Sequence, residues 1–417
     1  MELRRVVITG LGALTPIGNS CDEYWKNLLF GVSGAAPITR FDASRFKTQF
    51  ACEVKNFDVL NYIDAKEARK MDLFTQFAVV VASEAIKDSR IDLSAIDLER
   101  AGVVWGTGIG GFTTCSEEVM NFARGDGEPR FNPFFIPKII GDIAAGQISI
   151  QFGLRGPNYA TTSACASSAN AIVDAFNLIR LGKADIFITG GSEAPINSSG
   201  VGGFNAMQAI STRNDDPKTA SRPFDKGRNG FVMGEGAGAI ILEDLEHALK
   251  RGAKIYAEIC GVGLSSDAHH LTAPHPDGAG ARSAMKNAIE DAGISPDEID
   301  NINTHGTSTP LGDIAEVKAI LSLFGEHAYD ININAIKSMV GHLLGAAAAI
   351  ESVATILTVH HDIVPPTINH FEDDENLDNR LNFTFNKAQK RIVNYALSNA
   401  FGFGGHNTSI LFKKYKK

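Results

Sequence analysis

The chain has 417 residues, too long for one ordinary core, so two domains or two halves are expected. Hydrophobic residues at 44% and charged residues at 21% are ordinary for a soluble globular protein, and no apolar run reaches the roughly 18 residues of a membrane-spanning helix. The formal net charge of −9 disfavours nucleic acid as a partner.

The N-terminal Val6–Ile8 reads as a first buried strand running into a Gly turn, without the apolar segment and cleavage site of a signal peptide. Five cysteines, Cys21, Cys52, Cys115, Cys165 and Cys260, lie without paired spacing. Such a set argues for a reducing compartment and against disulfides or zinc, so a cytoplasmic location is expected. Further strands are expected at Ala101–Trp105, Asp185–Thr189, Ala237–Leu242, Ile255–Gly261 and Ser409–Phe412. Helices are expected at Ala68–Asp88, Ser167–Leu181, Gly278–Ala292 and Gly345–Val359. Their alternation predicts α/β layers with buried sheets.

Three features recur in the same order in both halves and suggest duplication. A Gly-rich strand end (Gly106–Gly111) precedes Cys165 and its small-residue helix; His305-Gly-Thr-Ser-Thr309 precedes His342 and an Ala-rich helix. Each half then closes with a glycine cluster leading into an apolar strand. The expected halves are residues 1–250, carrying the cysteine, and 251–417, carrying the two histidines.

Gly106–Gly111 reads G-T-G-I-G-G rather than G-x-G-x-x-G, and no acidic residue follows at the right distance, so no nucleotide cofactor is expected. Cys165 lies among small residues (Thr161-Thr-Ser-Ala-Cys-Ala-Ser-Ser168) at a helix start. A sharp strand-to-helix turn can present a nucleophile there, and the helix dipole is expected to lower the thiol pKa. His305 falls at a strand end and His342 just before a helix, where a neutral imidazole is favoured. The pairs His269/His270 and His360/His361 lack the spacing and carboxylates of a zinc site, so no catalytic metal is expected. In Phe401-Gly-Phe-Gly-Gly405, two aromatics stand among glycines that can bring backbone amides close to a ligand.

Taken together, Ser163-Ala-Cys165, Gly200-Val-Gly-Gly-Phe204, Ser221-Arg-Pro-Phe-Asp225, His305-Gly-Thr307, Lys337-Ser338, Gly341-His342 and Phe401–Gly405 resemble a known family over essentially the whole chain. It is that of the elongating type II β-ketoacyl-acyl carrier protein synthases, within the thiolase superfamily. The resemblance implies a five-layered α-β-α-β-α fold of two repeats, normally a homodimer, with acyl- and malonyl-loaded acyl carrier protein as partner. It implies that Cys165 carries the acyl group while His305 and His342 assist decarboxylation and condensation in fatty-acid elongation. It places Lys337 and Glu316 in a buried network orienting that triad, with Phe403 as gate and amide donor and Phe401 behind it. Ile109 and Phe204 match acyl-pocket residues, and Thr307 and Thr309 match substrate-binding positions. Lys66, Arg69 and Lys70 match the carrier-docking patch. Asn303, Glu351, Ser398 and Asn399 match positions that hold a structural monovalent or divalent cation, and no other cofactor is implied.

Some positions depart from the family pattern. The chain reads Ala335-Ile-Lys-Ser-Met-Val-Gly-His342 where relatives commonly read Ser-Thr-Lys-Ser-Met-Thr-Gly-His; Ala348 replaces a usual Gly, and Gln208 a usual docking Arg. These leave open a specialised polyketide or aryl-polyene ketosynthase. The presence of Cys165 counts against a non-catalytic chain-length partner subunit. Lack of a second catalytic Cys opposes a thiolase, and no triad carboxylate motif supports a cysteine hydrolase.

Overall fold

The computed structural model describes residues 3–416. Ten strands form one continuous sheet: β1 (Val6–Leu14), β2 (Ala101–Gly106), β3 (Asn158–Thr161), β4 (Ile186–Glu193), β5 (Gly236–Asp244), β6 (Ala257–Ser266), β7 (Asn301–Asn303), β8 (Asn332–Asn334), β9 (Tyr395–Gly402) and β10 (His406–Lys413). Their order is β8-β7-β9-β10-β6-β1-β5-β4-β2-β3. Adding five to each strand of the first half gives its counterpart in the second, in position and in direction. Thus β2 runs parallel to β3 and β4 as β7 does to β8 and β9, while β5 and β10 are antiparallel to their neighbours. The halves meet where Val6–Ile8 of β1 pairs antiparallel with Ala257–Ile259 of β6.

Helices packed on the sheet complete five layers, among them α1 (Leu73–Ser89), α2 (Ile143–Phe152), α3 (Ser167–Arg180), α4 (Ala279–Ala292), α5 (Pro310–Phe324) and α6 (Ala347–His361). Strand alternation assigns each face. Val103 and Trp105 of β2 and Ile186 and Ile188 of β4 point outward against Phe74, Phe77 and Val81 of α1. Val104 and Phe187 point inward, to Ile172 and Phe176 of α3 and to Ile350 and Val353 of α6. In the second half Leu397 and Leu411 face α4 and α5, while Ala396, Ile410 and Phe412 face the same central helices. Sheets buried on both faces read as continuous apolar runs, and this is why the strands were visible in the sequence.

Two helix starts differ from expectation. The helix expected from Ala68 is broken: a short helix covers Ala65–Ala68, and α1 begins only after Asp72, whose carboxylate accepts from Phe74 N at 3.2 Å and from Thr114 N at 2.9 Å. The helix expected from Gly345 starts as a 3₁₀ turn, Leu344–Ala346, before α6. The first half has the same device, with a 3₁₀ turn at Ala164–Ala166 before α3. Each turn opens on a left-handed non-glycine residue, Ala164 (φ 50°) or Leu344 (φ 48°). Cys165 and Gly345 therefore hold corresponding positions in the two halves.

Candidate active site

The turn presenting Cys165 is fixed by side chains of its own helix. Ser167 Oγ accepts from Ser163 N (2.9 Å) and donates to Ala164 O (2.7 Å). Asn170 Nδ2 donates to Ser163 Oγ (2.7 Å) and its Oδ1 accepts from Thr408 of β10 (2.7 Å), tying the turn to the second half. These bonds hold Ala164 in its strained conformation and Cys165 against the cavity.

The expected lowering of the thiol pKa is overturned. Burial pushes Cys165 up to about 11, and this outweighs the Lys337 charge and the Phe403 backbone N–H, which both pull it down. The sequence showed the helix start but not that Cys165 is only 7% exposed. Gly402 makes the Phe403 contact feasible, since a Cβ there would lie 2.7 Å from Ser163 O and 3.1 Å from Cys165 N.

His342 arrives from the other half, its Nε2 3.0 Å from Cys165 Sγ. Its backbone is clamped by bonds to Val232 O (2.7 Å) and from Gly234 N (2.9 Å), and the Phe231 ring meets its imidazole edge-on at 5.2 Å. His305 stands beside it, ring centroids 5.4 Å apart and nearly perpendicular, with Phe401 on its other side at 5.7 Å. Burial first, then the Lys337 charge, holds both imidazoles well below their ordinary pKa, so both are neutral. Neutrality was expected at His342 from the helix dipole; burial is its main cause. Neither Nδ1 has a hydrogen-bond partner, so neither tautomer is locked.

Lys337 and Glu316 both lie behind Cys165, His305 and His342, but they do not pair. Lys337 Nζ pairs with Glu351, both side chains at most 2% exposed. Glu316 instead accepts from His305 N (2.9 Å), Gly306 N (2.9 Å) and Asn399 Nδ2 (3.2 Å), so it fixes the His305 backbone. Asn303 Nδ2 reaches Ser398 Oγ at 3.5 Å across β7 and β9, and Asn303 Oδ1 and Glu351 Oε2 are buried oxygens without a donor. Among the described residues no group of three or more His, Cys, Asp or Glu is placed to hold a metal ion.

A cavity of about 570 Å³ opens onto these groups. Ile109, Phe204, Thr307, Thr309, Phe401 and Phe403 all line it, together with Cys165, His305, His342 and Glu316. Thr307 and Thr309 hydroxyls bond each other at 3.0 Å. Lys66 and Arg69 are exposed and lie outside the cavity lining, while Lys70 is paired to Glu67 at 2.6 Å. Sequence reasoning missed Phe231, which packs on His342, and Glu193, whose carboxylate lies behind the cavity wall. Both sit in runs that read as ordinary strand or loop, without a local signal.

A buried cysteine of one half meets two histidines of the other on a duplicated, five-layered fold, the architecture of a thiolase-fold condensing enzyme. Residues 3–248 match the beta-ketoacyl synthase N-terminal domain and residues 256–371 its C-terminal domain, and the chain belongs to this family. It is an acyltransferase that joins two acyl units into a 3-oxoacyl product. A 3-oxoacyl-[acyl-carrier-protein] synthase 2 of Synechocystis is 48% identical over 416 residues, 100% of this chain and 99% of that one. Among solved structures, the ishigamide ketosynthase/chain length factor has a TM-score of 0.93 at 34% identity, covering 99% of this chain and 100% of that one. A type II polyketide acyl-carrier protein in complex with its ketosynthase bound to the hexaketide gives 0.90 at 33%, with full coverage of both chains.

Proposed function

We propose that this chain elongates fatty acids by condensing an acyl group held on Cys165 with malonyl-acyl carrier protein. The observation that carries the assignment of roles is the 3.0 Å contact of His342 with Cys165, made beside His305 in a buried cavity. The higher identity to the 3-oxoacyl-[acyl-carrier-protein] synthase 2, 48% against 34% and 33% for the ishigamide and type II polyketide ketosynthases, favours this pathway.

In the first step the Cys165 sulfur attacks the acyl thioester. Its proton passes to His342 Nε2 and then to the departing carrier thiolate. In the second, the malonyl carboxylate leaves as CO2 and its C–C bond electrons form an enolate. His305, with its proton on Nε2, and His342, once its proton has shifted from the unpartnered Nδ1 to Nε2, donate to that oxygen; one such donor is worth about 3 kcal/mol in a dry site. The enolate carbon attacks the acyl carbonyl, whose oxygen receives the Cys165 and Phe403 backbone N–H groups. Collapse expels the Cys165 thiolate, which takes up one proton from solvent, the proton that loss of CO2 from the malonyl carboxylate requires overall.

Lys66, Arg69 and Lys70 would receive the acidic carrier protein. A homodimer is supported by the exposed β3 edge at one end of the sheet and by exposed Phe134, Ile136 and Ile150 nearby in sequence. The donorless oxygens of Asn303 and Glu351 fit a structural cation, which Asn303, Glu351, Ser398 and Asn399 would hold. No described helix is long and apolar enough to cross a membrane, and a cytoplasmic setting accords with five free cysteines.

Mass spectrometry after incubation with acyl carrier proteins of graded chain length tests the reading. Acylation should map to Cys165 alone, and Cys165→Ala should abolish condensation with the fold intact. Full condensing activity in that variant would sink the assignment.

A further inference from the structure

Glu193, the last residue of β4, is fully buried and belongs to none of the groups assigned above. Its two oxygens collect four donors from two distant segments. Oε1 accepts from Thr107 Oγ (3.0 Å) and Ile109 N (3.2 Å); Oε2 accepts from Gly108 N (2.7 Å) and Gly345 N (2.9 Å). Thr107, Gly108 and Ile109 form the turn whose Ile109 walls the acyl cavity. Gly345 lies three residues after His342, in the 3₁₀ turn that leads into α6.

The internal repeat gives this arrangement a meaning. Glu193 and Gly402 each end an eight-residue strand, β4 and β9, that hold equivalent places in the two half-sheets. Gly345 is the counterpart of Cys165. In one half, Gly402 leaves the Cys165 N–H open to a substrate oxygen; in the other, the Glu193 carboxylate itself occupies the Gly345 N–H. The second half thus contains the outline of an oxyanion site closed by a side chain of the first. The fit is close on both sides, since a Cβ on Gly345 would lie 2.4 Å from Glu193 Oε2 and 2.2 Å from Gly108 N.

The geometry points to Glu193 as a positioning residue that locks the acyl-pocket turn to the His342 segment, so that seating the acyl chain and aligning the histidine depend on one carboxylate. This rests on the role proposed for His342. A carboxylate is suited to the task because both oxygens only accept, and all four contacts are donors. Burial pushes its pKa up to about 7, so the four bonds are what keep charge at this position near neutrality.

Glu193→Gln in the full-length enzyme tests the idea. The amide keeps the volume but replaces one accepting oxygen with a donor, which leaves at least one of the backbone N–H groups of Gly108, Ile109 and Gly345 without its acceptor. Two reactions are measured: acylation of Cys165 by carrier proteins bearing a short or a long straight acyl chain, and malonyl-carrier decarboxylation. Displacement of the Ile109 turn should lower long-chain acylation relative to short by on the order of tenfold, and decarboxylation per folded enzyme should fall similarly. Wild-type values, or one common factor of loss for both chain lengths, would overturn the proposal. If Glu193→Gln is not recovered folded, Thr107→Val, which removes one donor to Oε1, decides: the long-to-short ratio should fall, and an unchanged ratio overturns the proposal. His342→Ala serves as a control, because retained decarboxylation there defeats the role given to His342 and not the lock itself.

Discussion

His342 Nε2 lies 3.0 Å from Cys165 Sγ although the two residues are 177 positions apart. With the thiol pushed up to about 11 and the imidazole held well below its usual range, the resting pair is thiol and neutral imidazole, not an ion pair. The sign follows for reactivity. A raised acid pKa keeps Cys165 protonated until high pH, so its alkylation rate should climb roughly tenfold per unit from about pH 7 and flatten only near 11. Iodoacetamide labelling followed by mass spectrometry, with Cys165→Ala as background, measures this. A plateau below about pH 9 contradicts a neutral resting thiol.

Gly402 sets the distance between the Phe403 amide and the nucleophile turn. Gly402→Ala would bring a Cβ to 2.7 Å from Ser163 O and force the end of β9 away from the Cys165 turn. Loss of one oxyanion donor typically costs ~100-fold to 1000-fold in kcat. Such a fall in kcat, with a melting temperature close to wild type, is the expected result of steady-state kinetics and thermal denaturation.

Lys337 and Glu351 form an ion pair that water does not reach. Removing one partner strands the other, so Lys337→Met should lower unfolding free energy by about 3–5 kcal/mol in urea titrations. Lys337→Met with Glu351→Met should lower it by less than the sum of the single changes, because no charge is then left alone. Strict additivity would show that the two groups do not act on each other.

Lys66 and Arg69 are exposed beside a Lys70 already engaged by Glu67. Reversing both charges (Lys66→Glu with Arg69→Glu) should raise KM for malonyl-acyl carrier protein about tenfold at low salt and leave kcat nearly unchanged. The effect should shrink as ionic strength rises. An unaltered KM moves the docking surface elsewhere.

The sequence was most readable where local rules govern. The strands of the buried sheet appeared as apolar runs, and the repeat of glycine cluster, small-residue helix and closing strand announced the duplication before the strand order displayed it. Cys165, His305 and His342 could be chosen one by one, but their meeting is a property of the α3–α6 layer and has no local signature. Lys337 illustrates the limit. Lys337 and Glu316 were expected in one buried network, yet α6 brings Glu351 to the ammonium while α5 directs Glu316 to the backbone of His305. Burial was equally invisible: a helix start suggested an acidic thiol, and desolvation, which depends on every neighbour, reversed the direction.

Gly108 and Gly345 come from opposite halves, and a single methyl on Gly345 would run into the Gly108 amide. After a duplication, two copies are usually free to drift apart in sequence. Here the seam removes that freedom, because a side chain added on one side is harmless only if the other side has already moved. A half carrying a larger residue at either glycine could therefore not be joined to the other half of this chain without shifting the seam.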